Sequence, residues 1–277
     1  MEVISYNLKI ISRGKGRSVI SAAAYCSGEK LYNHRNGLSY FEVRQDVVYK
    51  EIFLPGNASE NFHDRSTLWN SVERIEKADN SRTARQLIVA LYRQLDRDEQ
   101  ISLIVEYVKE TFVSQGMCAD VCVHDKGDGN PHAHVLLTTR SLDERGNWLG
   151  KQRKNYILDE HGSKIYDPVK KQYKCGRSIK TNDWDKEGNV EKWREEWAKA
   201  CNRAFERKGI KKRVTHESYR LQGEDREATI HLGPKVSALR KRGVHTSRSI
   251  INLNIQARNM EREELERQNQ RENEYSR

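Results

Sequence analysis

The stretch Val121-Cys122-Val123-His124-Asp125-Lys126-Gly127-Asp128-Gly129-Asn130-Pro131-His132-Ala133-His134-Val135-Leu136-Leu137-Thr138 places three imidazoles within eleven positions. Side chains along a strand alternate faces, so His132 and His134 project from one side and Ala133 from the other. Gly127, Gly129 and Asn130 accept the positive φ of a tight reversal, which predicts a hairpin pairing Cys118–His124 with His132–Thr138. His124 then ends its strand beside the other two. Three neutral imidazoles are a common ligand set for a divalent transition metal, and a three-ligand site leaves a position open for substrate. A lone strand histidine is more often packed or solvated, and a pair at i, i+2 arises by chance. Three around a glycine-rich turn, in a chain with 9 His, favour the reading of a catalytic metal centre.

Outward from this hairpin, Val3–Ser12 alternates as a strand, and Ser18 can cap a short helix over Ser18–Ser27. Val19, Ile20, Ala23 and Ala24 form the helix's apolar stripe, and Tyr25 lies one residue beyond it. Gly37–Val43 and Val47–Leu54 read as a hairpin pair, Asp64–Ala78 as a helix with Leu68, Val72 and Ile75 on one face, and Thr83–Tyr92 as a strand. Asp96–Ser114 is amphipathic through Ile101, Ile104, Val105 and Val108. This order predicts an α+β fold, a mainly antiparallel sheet with helices packed on it. In Val190–Lys208, Trp193, Trp197 and Phe205 recur at helical intervals, which reads as core packing. After Asn254 the residues are almost all Glu, Arg, Asn and Gln, giving an expected domain over 1–245 and a polar helical or disordered extension over 246–277.

The chain has 277 residues with 50 Lys+Arg against 40 Asp+Glu, a net charge of +10, which favours a polyanionic partner. Basic composition alone is shared by ribosomal and many secreted proteins. No apolar run approaches the roughly 18 residues of a membrane span, and the N-terminus MEVISYNLKI lacks a signal pattern, so a cytoplasmic protein without membrane insertion is expected. Cys26, Cys118, Cys122, Cys175 and Cys201 form no paired CxxC set and read as reduced, partly buried thiols. From Ser141 to Gly188 the chain is polar, with basic residues such as Lys151, Arg153 and Lys154 interleaved with Tyr156, Tyr166, Tyr173 and Trp184. That mixture suits a DNA-gripping flap, and equally a solvated lysine-rich excursion. In Arg13-Gly14-Lys15-Gly16-Arg17 the glycines would let backbone N–H groups approach phosphates closely.

The pattern His124…Pro131-His132-Ala133-His134 resembles the third motif of HUH endonucleases, specifically the MobA/MobL (MOBQ) class of plasmid relaxases. The start agrees: Ser21-Ala22-Ala23-Ala24-Tyr25-Cys26-Ser27-Gly28-Glu29 is similar to that class's first motif, and a third match runs from Thr215-His216-Glu217 to His231-Leu232-Gly233-Pro234. The resemblance implies a central five-stranded antiparallel sheet with the His strands inside. It also implies that Tyr25, one of 12 tyrosines and not selectable without it, is the nucleophile. A phenol, with a pKa of about 10, needs activation to attack phosphorus. Mn²⁺ or Mg²⁺ on His124, His132 and His134 is the implied cofactor. The implied activity is strand-specific nicking at a transfer origin (oriT), leaving a 5′-phosphotyrosine bond, for conjugative transfer or mobilization. The implied partners are single-stranded DNA of the oriT hairpin region, a type IV coupling protein and accessory relaxosome proteins. Expected DNA contacts are Arg13, Lys15, Arg17, Arg82, Arg85, Lys151, Arg153 and Lys154.

Departures accompany the resemblance. Gln86 stands where the class carries a glutamate, Tyr92 replaces a proline, and Cys26 follows Tyr25 where arginine is usual. Gln86 cannot take a proton, though its carbonyl could orient an imidazole; the phenol proton then goes to a metal-bound hydroxide or solvent, or to another carboxylate such as Asp125, or the molecule is impaired. Other readings are a rolling-circle replication initiator or transposase of the same superfamily, and a DNA-binding module with a structural metal. The tyrosine preceding the His motif favours a relaxase over an initiator, and an open-coordination triad has no purpose in a binding module.

Overall fold

The structure, a computed structural model, describes residues 1–230 and 232–275. The chain divides into two compact units, Ile4–Val214 and Met1–Val3 with Thr215–Arg277, whereas the sequence suggested a boundary at 245.

In the first unit, β1 (Tyr6–Ser12) leads through α1 (Val19–Ser27) to β2 (Leu31–Asn33), β3 (Leu38–Tyr40) and β4 (Val47–Phe53). Then follow α2 (Arg65–Ile75), β5 (Arg82–Ala90), α3 (Arg97–Thr111), β6 (Ala119–His124), β7 (His132–Thr138) and α4 (Asn189–Arg207). Five strands form an antiparallel sheet with the His-bearing β6 and β7 inside it, as the resemblance implies, and their order is β1-β5-β7-β6-β4. The expected hairpin of 37–43 with 47–54 is not formed. Instead β3 pairs with β2, and β4 lines the sheet edge beside β6. The reversal is upstream: the Gly37 N–H donates to the Asn33 carbonyl at 2.9 Å, while the Asn33 and Asn36 side chains accept from the N–H groups two residues on.

Alternation gives the sheet two distinct faces. Leu87, Val89, Val121, Val123, Ala133, Val135 and Leu137 point to one side and are covered by α3 and α4, whose Leu103, Ile104, Tyr107, Trp193, Trp197 and Phe205 are buried there. Trp193, Trp197 and Phe205 are therefore core, as their spacing predicts. On the other side Ile11, Ala84 and Leu136 meet α1 and α2 through Val19, Ile20, Leu68, Trp69 and Val72. That second core covers only part of its face. At the β6–β7 turn end the face carries the three imidazoles instead. Glycines at 127 and 129, with φ of 70° and 84°, make that turn.

The helices start where side chains satisfy their first N–H groups. Ser18 accepts from the Ser21 N–H at the start of α1, Asp64 caps α2, and Asp96 with Glu99 forms a reciprocal capping box on α3. A buried ion pair lies in the second core. The Asp120 carboxylate accepts from Arg65 Nε and Nη2 at 2.8 and 2.9 Å and from the Trp69 indole at 2.9 Å. Arg65 Nη1 continues to Glu29 at 2.7 Å, just past the end of α1.

Residues 141–188 hold short exposed ladders, Gln152–Arg153 with Ile179–Lys180 and Tyr166–Asp167 with Gln172–Tyr173. In the second unit are α5 (Gly233–Lys241) and α6 (Ser247–Tyr275). The polar extension is thus helical. Asn252 and Asn259, on one side of α6, each bond both backbone groups of a passing residue, Ile230 and Glu227 respectively. His231 of the third matched stretch lies outside the described residues. Among the described residues no helix is long and apolar enough to cross a membrane.

Trp197 is fully buried, and its indole N–H has no partner. Trp197→Ala should therefore cost about 3–5 kcal/mol from lost packing and cavity formation, read as a lower urea midpoint at unchanged slope. Trp197→Phe should cost much less, because it removes an unsatisfied donor together with part of the ring. Equal losses for the two variants would contradict this account of the core.

Candidate active site

His124 and His132 stand directly opposite each other in the β6–β7 ladder, and His134 lies opposite Cys122 on one side and Ile88 on the other. All three imidazoles share the half-covered face. Their ring centroids are 4.5, 5.1 and 5.4 Å apart, and one nitrogen from each can be chosen so that all lie within 4.8 Å of one another. The group can hold a metal ion.

Protonation favours that use. Burial pushes His124 down to about 4 and His134 down to about 3, so both are neutral with a lone pair at physiological pH. His124 Nε2 is 2.6 Å from the Cys26 carbonyl, which can only accept, so the proton is on Nε2 and the lone pair on Nδ1. His132 Nδ1 likewise donates to the Asn130 carbonyl at 2.9 Å, leaving Nε2 free to ligate. Both nitrogens of His134 are buried without a hydrogen-bond partner. A buried imidazole with no partner is costly unless something absent from the protein's own atoms completes it, and a metal ion fits that need.

Tyr25 packs edge-on against two of these rings, 6.3 Å from His124 and 5.9 Å from His134 between centroids, and remains 38% exposed. Its place follows from α1. The apolar stripe seats the helix on the sheet, Tyr25 falls at the stripe's edge, and the next residue's carbonyl is the one that His124 holds. At Gly28 the chain turns with φ of 68°, and an added Cβ would approach Arg44 Cβ at 3.3 Å. Glycine there lets the segment before β4 come close.

That segment supplies two residues the sequence reading missed. Arg44 places its guanidinium carbon 4.3 Å from the Tyr25 ring centroid, and its Nη2 lies 3.2 Å from His124 Nδ1. Asp46 holds it with two hydrogen bonds of 2.9 and 2.6 Å; the Arg44 charge in turn pulls the Asp46 carboxyl down to about 2. No motif flagged them, because they lie in an irregular stretch whose approach depends on the turn at Gly28.

The other expected site residues are distributed unevenly. Gln86 lines a cleft together with Tyr25 and His134, and its Nε2 makes a weak contact with Cys26 Sγ at 3.9 Å. It does not orient a triad imidazole: His124 bonds Cys26 and Arg44, His132 bonds Asn130, and His134 has no partner. Asp125 is also turned elsewhere. Just past the end of β6, its carboxylate accepts from the Gly127 N–H at 2.8 Å and pairs with Arg97 of α3 at 3.3 Å.

Three expected DNA contacts, Arg13, Arg85 and Lys151, have structural partners. Arg13 binds Glu73 at 2.8 Å and the carbonyls of Glu73 and Ala78, closing the end of α2. Arg85 is 3% exposed on the face away from the triad, where it pairs with Asp185. Arg17 lines the cleft, while Lys15 and Arg82 are exposed. Lys151 pairs with Glu76 at 2.9 Å; Arg153 and Lys154 are exposed in the excursion.

Residues 17–242 match the MobA/MobL family. The chain belongs to the MobA/MobL family. Its relatives include a Bifidobacterium longum protein named "Probable mobilization protein MobA", 31% identical over 94% of this chain, and the conjugal transfer protein TraA of Agrobacterium fabrum, 30% identical over 93%. The chain spans 48% and 24% of the lengths of those two proteins. Mobilization protein MobL of Acidithiobacillus ferridurans is 28% identical over 96% of this chain and 69% of its own. The fold is also similar to a chain solved in work on the molecular basis of vancomycin resistance transfer in Staphylococcus aureus, with a TM-score of 0.67 and 27% identity. The match covers 78% of this MobA/MobL chain and all of that one.

The triad geometry makes a direct prediction for metal binding. Titration calorimetry of the apo protein with Mn²⁺ should give one site, and His134→Ala should weaken it by on the order of a hundredfold or more, since two imidazoles neither retain the ion nor fix its geometry. Undiminished affinity in that variant would remove His134 from the ligand set.

Proposed function

We propose that this chain is the nicking domain of a relaxase, which cuts one DNA strand at a transfer origin by attack of Tyr25 on a phosphodiester. The observation that carries the reading is the packing of a part-exposed tyrosine against an imidazole triad suited to a metal. In the reaction a bond forms between the Tyr25 phenol oxygen and phosphorus while the bond from phosphorus to the 3′ oxygen breaks. The phenol gives up its proton to solvent or a neighbouring group, and the departing 3′ oxygen takes one up. The products are a 5′-phosphotyrosine bond and a free 3′-hydroxyl, and the retained phosphodiester energy allows later rejoining without ATP.

His124, His132 and His134 would hold Mn²⁺ or Mg²⁺. When bound, such an ion supplies positive charge to the nonbridging oxygens of the scissile phosphate. The chain's own groups do the rest. The Cys26 carbonyl fixes the His124 tautomer, α1 presents the phenol at the mouth of the site, and Arg44, steadied by Asp46, adds a second cation beside it. Arg17, Lys15 and the excursion's Arg153 and Lys154 are available to track the backbone of single-stranded DNA.

The names of the relatives, mobilization and conjugal transfer proteins, support this reading over a rolling-circle initiator or a structural-metal binding module. So does the order of the motifs, with the tyrosine ahead of the histidines. An oriT hairpin as substrate, a type IV coupling protein with accessory proteins as partners, and work in the cytoplasm follow from the same reading.

Incubation with labelled single-stranded oligonucleotides tiling the transfer region of the encoding element, with Mn²⁺, should give a covalent protein–DNA adduct. Tyr25→Phe should abolish the adduct while leaving DNA affinity within about a few-fold, because only the phenol oxygen is lost and affinity rests on phosphate contacts. EDTA should suppress the adduct too. A full-yield adduct with Tyr25→Phe would move the nucleophile elsewhere.

A further inference from the structure

Beside the triad, a cleft of about 560 Å³ opens along the half-covered face of the sheet. Its floor carries Lys9 and Gln86, cross-strand neighbours on the same face as His134. One wall is α1, with Tyr25. Another is the segment after β3, with Phe41, which is 58% exposed. Arg17 stands among the lining residues.

The chemistry of these surfaces is mixed in a specific way. Phe41 offers an aromatic face to the cleft, and Lys9 and Arg17 offer charge for phosphates. Gln86 offers a carboxamide, with donor and acceptor side by side, on a half-buried floor shared with apolar Ile11 and Ile88. Among the described residues its amide makes only a weak contact to sulfur at 3.9 Å. An amide held there, beside an aromatic ring and next to a nucleophile for phosphorus, matches one ligand class: an unpaired nucleobase still joined to its phosphates.

We propose that this cleft is a base-reading subsite for the nucleotide adjoining the scissile phosphate, with Phe41 stacking on the base and Gln86 hydrogen-bonding its edge. The inference rests on the nicking reading for its placement. It gives position 86 a purpose that needs no proton transfer: a glutamine can both donate to and accept from a base edge, where a carboxylate can only accept. The amide thus contributes specificity, and no triad imidazole depends on it.

The test uses the full chain in EDTA, so that binding is read apart from cleavage. Probes are fluorescent single-stranded oligonucleotides spanning the position where the Tyr25 adduct forms, with each of the four bases in turn at the two flanking nucleotides. Wild type should rank the bases at one of these positions over on the order of tenfold in affinity. Gln86→Leu should flatten that ranking to within about twofold, and Gln86→Glu should move it toward guanine, whose N1–H and N2–H can both donate to a carboxylate. Phe41→Ala should weaken all the probes by about fivefold or more, and Phe41→Trp should restore them, as stacking requires. Position 41 is exposed, so those variants keep the fold. A wild-type ranking that survives Gln86→Leu, or affinity untouched by Phe41→Ala, overturns the subsite while leaving the adduct, and hence the nicking reading, intact. If no oligonucleotide yields an adduct but tiled probes still show the Gln86-dependent ranking, the nicking reading falls and base recognition stands.

Discussion

The 2.6 Å hydrogen bond from His124 Nε2 to the Cys26 carbonyl joins the two halves of the site. It decides which nitrogen of His124 carries a lone pair, and it ties the imidazole to the backbone of the residue after Tyr25. The ligand group and the phenol therefore cannot shift independently. The bond exists because α1 lies on the same sheet face as the triad and ends at the strand end where His124 sits. Moving α1 by one turn, about 5.4 Å, would separate the phenol from the rings and remove the bond.

A buried charge network holds α1 at that depth. Asp120 lies on β6 four residues before His124, hence on the same face, and Arg65 bridges it to Glu29 beyond the end of α1. Lys50 on β4 reaches Glu29 at 2.8 Å and the Ser27 carbonyl at 3.3 Å. Desolvation makes such pairs poor sources of net stability, and an apolar substitute would often serve as well for folding alone. What the network supplies is orientation, since each donor accepts a single register of α1 against β4, β6 and α2. Apolar contact would tolerate sliding.

Much of this was legible in the sequence. Alternation fixed which strand residues face together, so the His hairpin and the shared face of His132 and His134 follow from local pattern, whereas the central place of the hairpin in a five-stranded sheet was implied by the family resemblance alone. The cap expected at Ser18 and the helices expected from Asp64 and Asp96 place the helix starts to within about a residue of those observed. The expected strand 37–43 begins on Gly37, half of the Asn36-Gly37 turn signal; that turn instead folds β3 back onto β2, and residues 41–46 become a link to β4 rather than a hairpin loop. Arg44 and Asp46 were invisible for a different reason: nothing in their spacing encodes contact between Arg44 and a tyrosine nineteen residues before it, or between Asp46 and that arginine. Arg13 and Arg85 looked like DNA contacts because charge in a sequence carries no sign of its partner, and here the partners are Glu73 and Asp185.

The charges around Tyr25 complete the electrostatic picture. Asp46 is neutralised by Arg44 and Asp120 by Arg65, while Asp125 pairs with Arg97 of α3. Among the described residues no carboxylate is hydrogen-bonded to the triad; Glu42 lines the cleft beside Tyr25, and the guanidinium carbon of Arg44 lies 4.3 Å from the Tyr25 ring centroid. A site of this kind attracts an anion before any metal is considered, and a metal ion strengthens the attraction. The same arrangement restrains the metal, because Arg44 Nη2 donates to the Nδ1 lone pair of His124 that a ligand bond would use. Arginine and ion compete for one nitrogen, and an arriving phosphate offers Arg44 an alternative partner of opposite charge. A phosphate that draws Arg44 away from Nδ1 would free that nitrogen for an ion.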